Sequence, residues 1–213
     1  MTPDEFIARW EGSGGAELAN SQSFLKELCE LLAVPQPEPT QPDESLNTYV
    51  FEKAVEFNNG DGTTSSGRVD LYRRSCFVLE SKQGSERKAA EQAQALAEVT
   101  RNRRFRAGTA QRGTAAWQQA MVKAREQAKR YAEALPEWPP FLIVADVGYC
   151  IDLYADFSQS GKNYAPFPDP QRYRLELARL KNQDVRELLK TIWLDPLALD
   201  PAKQSAKVPS ELA

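Results

Sequence analysis

The segment from residue 67 to residue 84 constrains the fold most, because it has the pattern of two consecutive β-strands. Apolar residues recur with strand spacing before and after a short polar connection at 73–75. A connection of this length joins antiparallel neighbours, so we expect a hairpin. Asp70 lies on its first strand, and Glu80 and Lys82 lie at the end of the second. The hairpin therefore carries three ionisable side chains toward one place.

Strand alternation predicts which of these side chains share a face. Val69 and Leu71 are expected on one side of the first strand and Asp70 on the other, while Glu80 and Lys82 share a face of the second. Side chains paired across a hairpin lie within roughly 5 Å of each other. Asp70 and Glu80 can therefore share one cation if the register places them together.

Apolar periodicity predicts further helices and strands around this hairpin. One helix is expected to begin near residue 2, and further helices are expected at 15–32, 85–100, 114–135 and about 185–193. Besides the strand that carries Asp70, strands are expected at 48–57, 76–82, 141–145 and 149–154. An order of helix, three strands, helix, two strands and helix predicts an α/β fold, with a mixed central β-sheet flanked by helices.

A chain of 213 residues with 41% hydrophobic content can bury one full core, so a single globular unit is expected. We divide it into four parts: N-terminal helices at 1–34, a connector at 35–47 with four prolines in its first eight residues, a core at 48–155 with an inserted segment at 85–113, and a C-terminal helical extension at 156–213. Prolines at that density exclude regular helix and central strand from the connector.

The chain has no histidine, which excludes Ser-His-Asp triads, Cys-His proteases and most zinc hydrolases. Cys29, Cys76 and Cys150 are odd in number and set among apolar residues, so we expect reduced core thiols.

No apolar run approaches the ~18 residues of a membrane span, and the N-terminus lacks the order of a signal peptide. A cytoplasmic location without a membrane partner is expected.

Two carboxylates held close together repel each other unless a cation neutralises them, so Asp70 and Glu80 are candidate metal ligands. Mg²⁺ suits this site because it prefers carboxylate, water and phosphate oxygens, and Mn²⁺ would substitute for it. The backbone carbonyl of Ser81 is a third candidate ligand. Lys82 could orient or deprotonate the water bound there and stabilise charge on an attacked phosphate. Asp70, Glu80 and Lys82 are thus the candidate catalytic residues.

Two other interpretations stay open at this point. The three charged residues could form an exposed ion pair on a surface hairpin, and residues 86–88 also match Glu-x-Lys on an expected solvated helix. Glu52, on the strand before the hairpin, is a further acidic candidate. The apolar run that leads into Glu80 favours the metal site over the surface pair.

Charge is spread unevenly along the chain, although the net charge is only −3. Residues 1–61 hold 3 basic and 12 acidic side chains, whereas residues 85–133 hold 11 basic and 5 acidic ones. Within the second region lies a run that includes Arg101, Arg103, Arg104 and Arg106. These arginines could bind DNA phosphates or could form a solvated loop.

Gln127 and Tyr131 lie one turn apart on the helix expected at 114–135. The pair resembles the Gln-x-x-x-Tyr motif that one branch of the PD-(D/E)xK nucleases carries after the Glu-x-Lys strand, which would make both residues substrate-binding. They could equally be two ordinary residues of an amphipathic helix.

Six segments spread along the chain form one recognisable set: 23–28, 67–70, 77–82, 127–131, 141–148 and 192–196. Through them, nearly the whole chain resembles the N-terminal part of MmeI-like type II restriction–modification enzymes. The resemblance implies a PD-(D/E)xK nuclease fold acting on double-stranded DNA, with Asp70, Glu80 and Lys82 as the nuclease residues. It also implies a methyltransferase that uses S-adenosylmethionine and a target-recognition domain, both downstream of the nuclease domain.

Two classes of function follow from these observations. One is a Mg²⁺-dependent DNA endonuclease domain of a restriction–modification or phage-defence enzyme, present as a fragment of a longer chain or as a stand-alone protein. The other is a non-catalytic module for DNA docking or assembly within a larger methyltransferase polypeptide. The intact Asp70, Glu80 and Lys82 favour the first class.

Overall fold

A computed structural model describes residues 1–11, 13, 17–84, 110–161 and 163–205 of the chain. The helices are α1 (Pro3–Trp10), α2 (Glu17–Leu32), α3 (Ala115–Ala134), α4 (Gln183–Leu194) and α5 (Pro201–Ser205). The strands are β1 (Tyr49–Asn58), β2 (Thr64–Arg73), β3 (Phe77–Lys82), β4 (Phe141–Asp146), β5 (Cys150–Ala155), β6 (Ala165–Pro166) and β7 (Arg174–Glu176). Short 3₁₀ turns lie at Glu44–Leu46, Leu177–Lys181 and Pro196–Leu199.

The helix starts follow local capping chemistry. At α1, the Thr2 hydroxyl accepts from the Glu5 backbone N–H at 3.2 Å, while the Glu5 carboxylate accepts from the Thr2 N–H at 2.7 Å. This reciprocal pair satisfies two backbone donors that a helix leaves open at its first turn. At α3, the Thr114 hydroxyl accepts from the Trp117 N–H at 3.2 Å. The helix expected at 114–135 is therefore confirmed with its start fixed by Thr114.

The described strands form one sheet in the order β1-β2-β3-β4-β5-β6, and β7 also pairs with β5. All strand pairs are antiparallel except β3 and β4, which run parallel across the connection that contains α3. A parallel pair needs a crossover of this kind, whereas antiparallel pairs can be joined by short connections. The predicted α/β architecture with a mixed central sheet is confirmed.

Apolar clusters cover both faces of the sheet. On one face, α1, α2 and α4 pack against β3, β4 and β5, with Phe6, Phe24, Leu28, Leu189 and Trp193 all fully buried. On the other face, α3 packs through Trp117, Met121, Ala124 and Ala128. The small alanines let α3 approach the sheet closely. Cys29, Cys76 and Cys150 are buried free thiols, as expected.

The C-terminal part differs from the helical extension expected at 156–213. It supplies β6 and β7, which both pair with β5 and continue the sheet. Strands of two and three residues are too short for a periodic apolar signal to reveal them. None of the helices in the described ranges has the length and apolar character that crossing a membrane requires.

Candidate active site at the fork of two strands

The pairing between β2 and β3 ends just before the three candidate residues. The last paired positions are Leu71 and Leu79. If that register continued by one residue, Asp70 would lie opposite Glu80, which is the juxtaposition that a shared cation site requires. The two strands separate here and form a fork, which we call the β2–β3 fork.

The Asp70 carboxylate occupies the place where the backbone ladder stops. Its Oδ2 atom accepts from the Ser81 N–H at 2.7 Å and from the Ser81 hydroxyl at 2.6 Å. A continued antiparallel ladder would instead have paired Ser81 with Val69. The side chain of Asp70 therefore replaces a backbone acceptor and holds the fork open in a defined geometry.

Glu80 is almost completely shielded from water, with 2% of its surface exposed. The Lys82 ammonium lies 2.8 Å from Glu80 Oε1, and the lysine side chain is 29% exposed. A buried carboxylate needs a positive charge close by, because transfer from water into the interior is costly for an ion. The Lys82 ammonium supplies this positive charge, as a bound metal ion would also do.

The prediction that Val69 and Leu71 share a face is wrong. Val69 packs in the cluster under α3, whereas Leu71 packs in the cluster on the opposite face. The β1–β2 pairing is interrupted at the same place, between the Phe51–Leu71 pair and the Lys53–Val69 pair. At this interruption Glu52 has a φ of 54°, in the left-handed region that a non-glycine residue rarely adopts. Strict alternation therefore fails beside Asp70, where the pairing with β1 is interrupted.

Glu52 lies within electrostatic range of the β2–β3 fork. Burial raises the pKa of the Glu52 carboxyl, and the negative charge of Asp70 raises it further, while Arg68 acts in the opposite direction. A left-handed residue next to a candidate site is a form of stored backbone strain, worth about 1–3 kcal/mol. Such strain persists only where the surrounding contacts hold it in place.

The donor atoms at the fork fit a hard divalent cation. Asp70 and Glu80 supply carboxylate oxygens, and Asp70 Oδ1 accepts no hydrogen bond from a described residue. The Ser81 carbonyl lies on β3, between Glu80 and Lys82. Across the described ranges, no group of three or more His, Cys, Asp or Glu side chains is positioned to hold a metal ion. A cation here would therefore complete its shell with water or phosphate oxygens, as Mg²⁺ commonly does.

Gln127 and Tyr131 lie together on α3, where the Gln127 amide donates to the Tyr131 hydroxyl at 3.1 Å. The Tyr131 ring stacks on Phe57 with 5.8 Å between ring centroids. A Cβ atom at Gly67 would come within 2.6 Å of this ring, so only glycine permits the approach of β2 to α3. The pair lines a groove of about 480 Å³ between α3 and the β1–β2 hairpin.

Basic groups stand on the wall of this groove. Arg130 stacks over Phe57 at 5.1 Å, and Lys123 lies one helical turn before Gln127. Ser65 and Ser66 present exposed hydroxyls from β2 on the opposite wall, and Glu126 is the acidic residue among the lining side chains. The groove reaches β2 three residues before Asp70, so it leads from the hairpin toward the β2–β3 fork.

A buried cluster around Asp146, at the end of β4, was not anticipated from the sequence. Asp146 is fully buried and accepts four hydrogen bonds: from the Gly84 N–H at 3.0 Å, the Trp117 indole at 2.7 Å, and Arg112 Nε and Nη2 at 3.2 and 2.9 Å. Asp146 pairs with Lys82 across the parallel β3–β4 register. The cluster thus fixes the chain just beyond the candidate lysine. The signal in the sequence that could have indicated this cluster is an aspartate at the end of an otherwise apolar strand.

Several expectations lie outside the described residues. They are the arginines at 101, 103, 104 and 106, the second Glu-x-Lys match at 86–88 and the helix expected at 85–100. The described end of the inserted segment, at 110–113, contributes Arg112 to the Asp146 cluster.

A comparison with known protein families identifies a match over nearly the whole chain. The family model described as "MmeI, N-terminal domain" matches residues 1–212. Comparisons with curated proteins and with solved structures give no significant match.

Proposed function

Since the chain belongs to the family of MmeI N-terminal domains, we propose that it is a Mg²⁺-dependent DNA endonuclease domain with a PD-(D/E)xK fold. It would hydrolyse phosphodiester bonds as part of a restriction–modification enzyme. In this proposal a methyltransferase that uses S-adenosylmethionine, together with a target-recognition domain, acts in the same polypeptide.

The observation that carries the proposal is the β2–β3 fork. Each of the two adjacent strands carries one carboxylate at the place where the backbone ladder stops, and a lysine pairs with the more buried one. A surface ion pair is a poor account of this arrangement, since Glu80 is only 2% exposed. Asp70 and Glu80, with the Ser81 carbonyl, would hold the cation. When bound, Mg²⁺ would neutralise charge on the phosphate and activate water.

The protein side chains have separate roles in this proposal. Ser81 fixes the orientation of the Asp70 carboxylate through two hydrogen bonds. The Lys82 ammonium, which is partly exposed, would orient the attacking water or stabilise developing negative charge on the phosphate. The Asp146 cluster would keep Lys82 in position by fixing the following Gly84.

The groove beside Gln127 and Tyr131 would hold a DNA strand as it approaches the fork. Lys123 and Arg130 would contact phosphates, which adds affinity that is independent of sequence and falls with salt. Gln127 and Tyr131 would then act as substrate-binding residues at the floor. Arg101, Arg103 and Arg104 are proposed as additional phosphate contacts.

Isothermal titration calorimetry with Mn²⁺ tests the metal site directly. We expect the 213-residue chain to bind Mn²⁺, and we expect Asp70→Ala and Glu80→Ala each to weaken binding strongly, because each removes one of two charged ligands. Glu56→Ala is the matched control, since Glu56 is an exposed carboxylate on β1 of the same sheet.

Equal Mn²⁺ binding by the native chain and by both site variants would refute the metal site. A chain that binds DNA but no Mn²⁺ would favour the alternative function, a non-catalytic docking module. Circular dichroism of each variant separates loss of a ligand from loss of the fold.

A further inference from the structure

A second pocket lies at the closed end of the β2–β3 hairpin, opposite to the fork. It has a volume of about 510 Å³ and is bounded by the proline-rich connector, the start of β1 and the end of β2. Arg73 pairs with Phe77 at this end of the hairpin, whereas Asp70 lies toward the other end. The pocket is therefore separate from the candidate active site, and the connector forms one of its walls.

Backbone hydrogen bonds hold the wall of this pocket in place. The Glu38 N–H donates to the Tyr49 carbonyl at 2.8 Å, so the connector pairs with β1. Asn47 is only 1% exposed, and its side-chain amide makes two hydrogen bonds to the backbone of Gln41. The amide accepts from the Gln41 N–H at 2.7 Å and donates to the Gln41 carbonyl at 3.0 Å. Prolines at 35 and 39 reduce the freedom of the same wall. The pocket is thus formed before any ligand arrives.

Two guanidinium groups, Arg73 and Arg74, line the pocket, and neither pairs with a carboxylate of the described residues. The half-buried Arg73 stacks over the Tyr49 ring at 4.4 Å. Arg74 donates from Nη2 to the Ser45 carbonyl at 2.6 Å. Both cations are held in fixed places by groups that do not neutralise them. Glu38 is the single acidic residue of the lining, so the pocket carries a net positive charge.

We propose that this pocket binds a phosphate group carried on a larger organic molecule. Guanidinium groups match the oxygens of phosphate in geometry and charge. A volume of about 510 Å³ exceeds what a phosphate alone would fill and suits a ligand of mononucleotide size. Proline rings and the 55% exposed Leu46 offer apolar surface for the rest of the molecule. Binding at this pocket would not require nuclease activity at the fork.

Titration calorimetry with inorganic phosphate, at constant ionic strength adjusted with chloride, tests the site on the 213-residue chain. We expect measurable binding by the native chain and by the control Arg179→Gln, which changes an exposed arginine that does not line the pocket. Arg73→Gln should weaken binding at least about tenfold, the scale for losing a hydrogen bond to a charged group. Arg73→Lys keeps the charge and should lose less.

Arg74→Gln provides a second test if Arg73→Gln unfolds the protein, because Arg74 lies in the exposed turn. The proposal is overturned if the native chain binds no phosphate, or if the folded pocket variants and the Arg179→Gln control bind it equally well.

Competition distinguishes two sources of the phosphate. Adenosine monophosphate that displaces inorganic phosphate would identify a free phosphate ester. Displacement by a short DNA duplex, but not by the mononucleotide, would identify a backbone phosphate of DNA bound at a distance from the fork. Failure of both to compete would contradict the organic part of the proposal.

Discussion

Asp70 and Asp146 are two aspartates on either side of β3, and their surroundings differ sharply. Asp146 is fully buried and accepts four hydrogen bonds from Gly84, Arg112 and Trp117. Asp70 is partly exposed and accepts two hydrogen bonds, both from Ser81 and both at the same oxygen. One carboxylate is saturated by the protein, and the other keeps an oxygen available.

This contrast separates a structural carboxylate from one that can bind a ligand. A carboxylate whose lone pairs are all used by fixed donors has nothing left to offer a cation. Asp146 therefore stabilises the framework around β3, and Asp70 is the better candidate for chemistry. Lys82, which pairs with Glu80 and is partly exposed, belongs with Asp70 in this division.

The largest expected effect is on cleavage by the Lys82→Ala variant. In a polypeptide that cuts DNA, we expect the rate to fall by roughly 10²–10⁴, the usual scale for losing a positioned acid–base group. The Lys181→Ala variant is the control, since it removes a lysine from an exposed ion pair with Asp4. Single-turnover cleavage, with folding checked by circular dichroism, measures both. Normal cleavage by Lys82→Ala would show that Lys82 is a structural residue and would contradict its assignment, with Asp70, to the residues that carry out chemistry.

Much of the fold could be predicted because each element has a strong local signal. The helix expected at 15–32 is observed at Glu17–Leu32, and the strand expected at 141–145 is observed at Phe141–Asp146. The strand pairing in the hairpin followed from its short connection. The short strands β6 and β7 could not be predicted, because they exist only through pairing with β5.

The site was predicted less completely than the fold. Alternation failed at Val69, which packs on the opposite face from Leu71 beside the interruption of the β1–β2 pairing, where Glu52 adopts a left-handed conformation. No local pattern in the sequence predicts a left-handed backbone conformation for a glutamate. The Asp146 cluster was missed since it joins three segments that are distant in sequence, and only the folded chain brings Arg112 and Trp117 to Asp146.

Removal of the Asp146 carboxylate, whose oxygens are fully hydrogen-bonded, should cause the largest loss of stability. We expect Asp146→Ala to lower the free energy of unfolding by about 3–5 kcal/mol, because it removes the buried carboxylate that pairs with the Arg112 charge. Glu133→Ala is the control, since Glu133 takes part in a long, exposed ion pair with Lys129. Urea unfolding followed by tryptophan fluorescence measures both. If the two variants lost equal stability, the Asp146 cluster would not be the structural anchor.

The β2 side of the fork should depend on packing against α3 rather than on buried charge. We expect Gly67→Ala to cost about 1–3 kcal/mol of unfolding free energy, because its Cβ would clash with the buried and stacked Tyr131 ring. Combining it with Tyr131→Ala should relieve the clash, so the two effects should be less than additive in a double-mutant cycle. Strictly additive losses would show that the close approach does not constrain Gly67.

The smallest expected effect distinguishes the two aspartates by charge alone. Asp70→Asn keeps an oxygen that can accept the Ser81 N–H, so we expect the free energy of unfolding to change by no more than about 1 kcal/mol. Asp146→Asn should cost clearly more, because an amide cannot neutralise Arg112 in a site from which water is excluded. Urea unfolding of the two variants makes a matched pair, with the same chemical change on neighbouring sides of β3. If Asp70→Asn cost as much as Asp146→Asn, the negative charge of Asp70 would be needed to hold the fold, and a carboxylate used in that way would be a poor candidate for binding a metal.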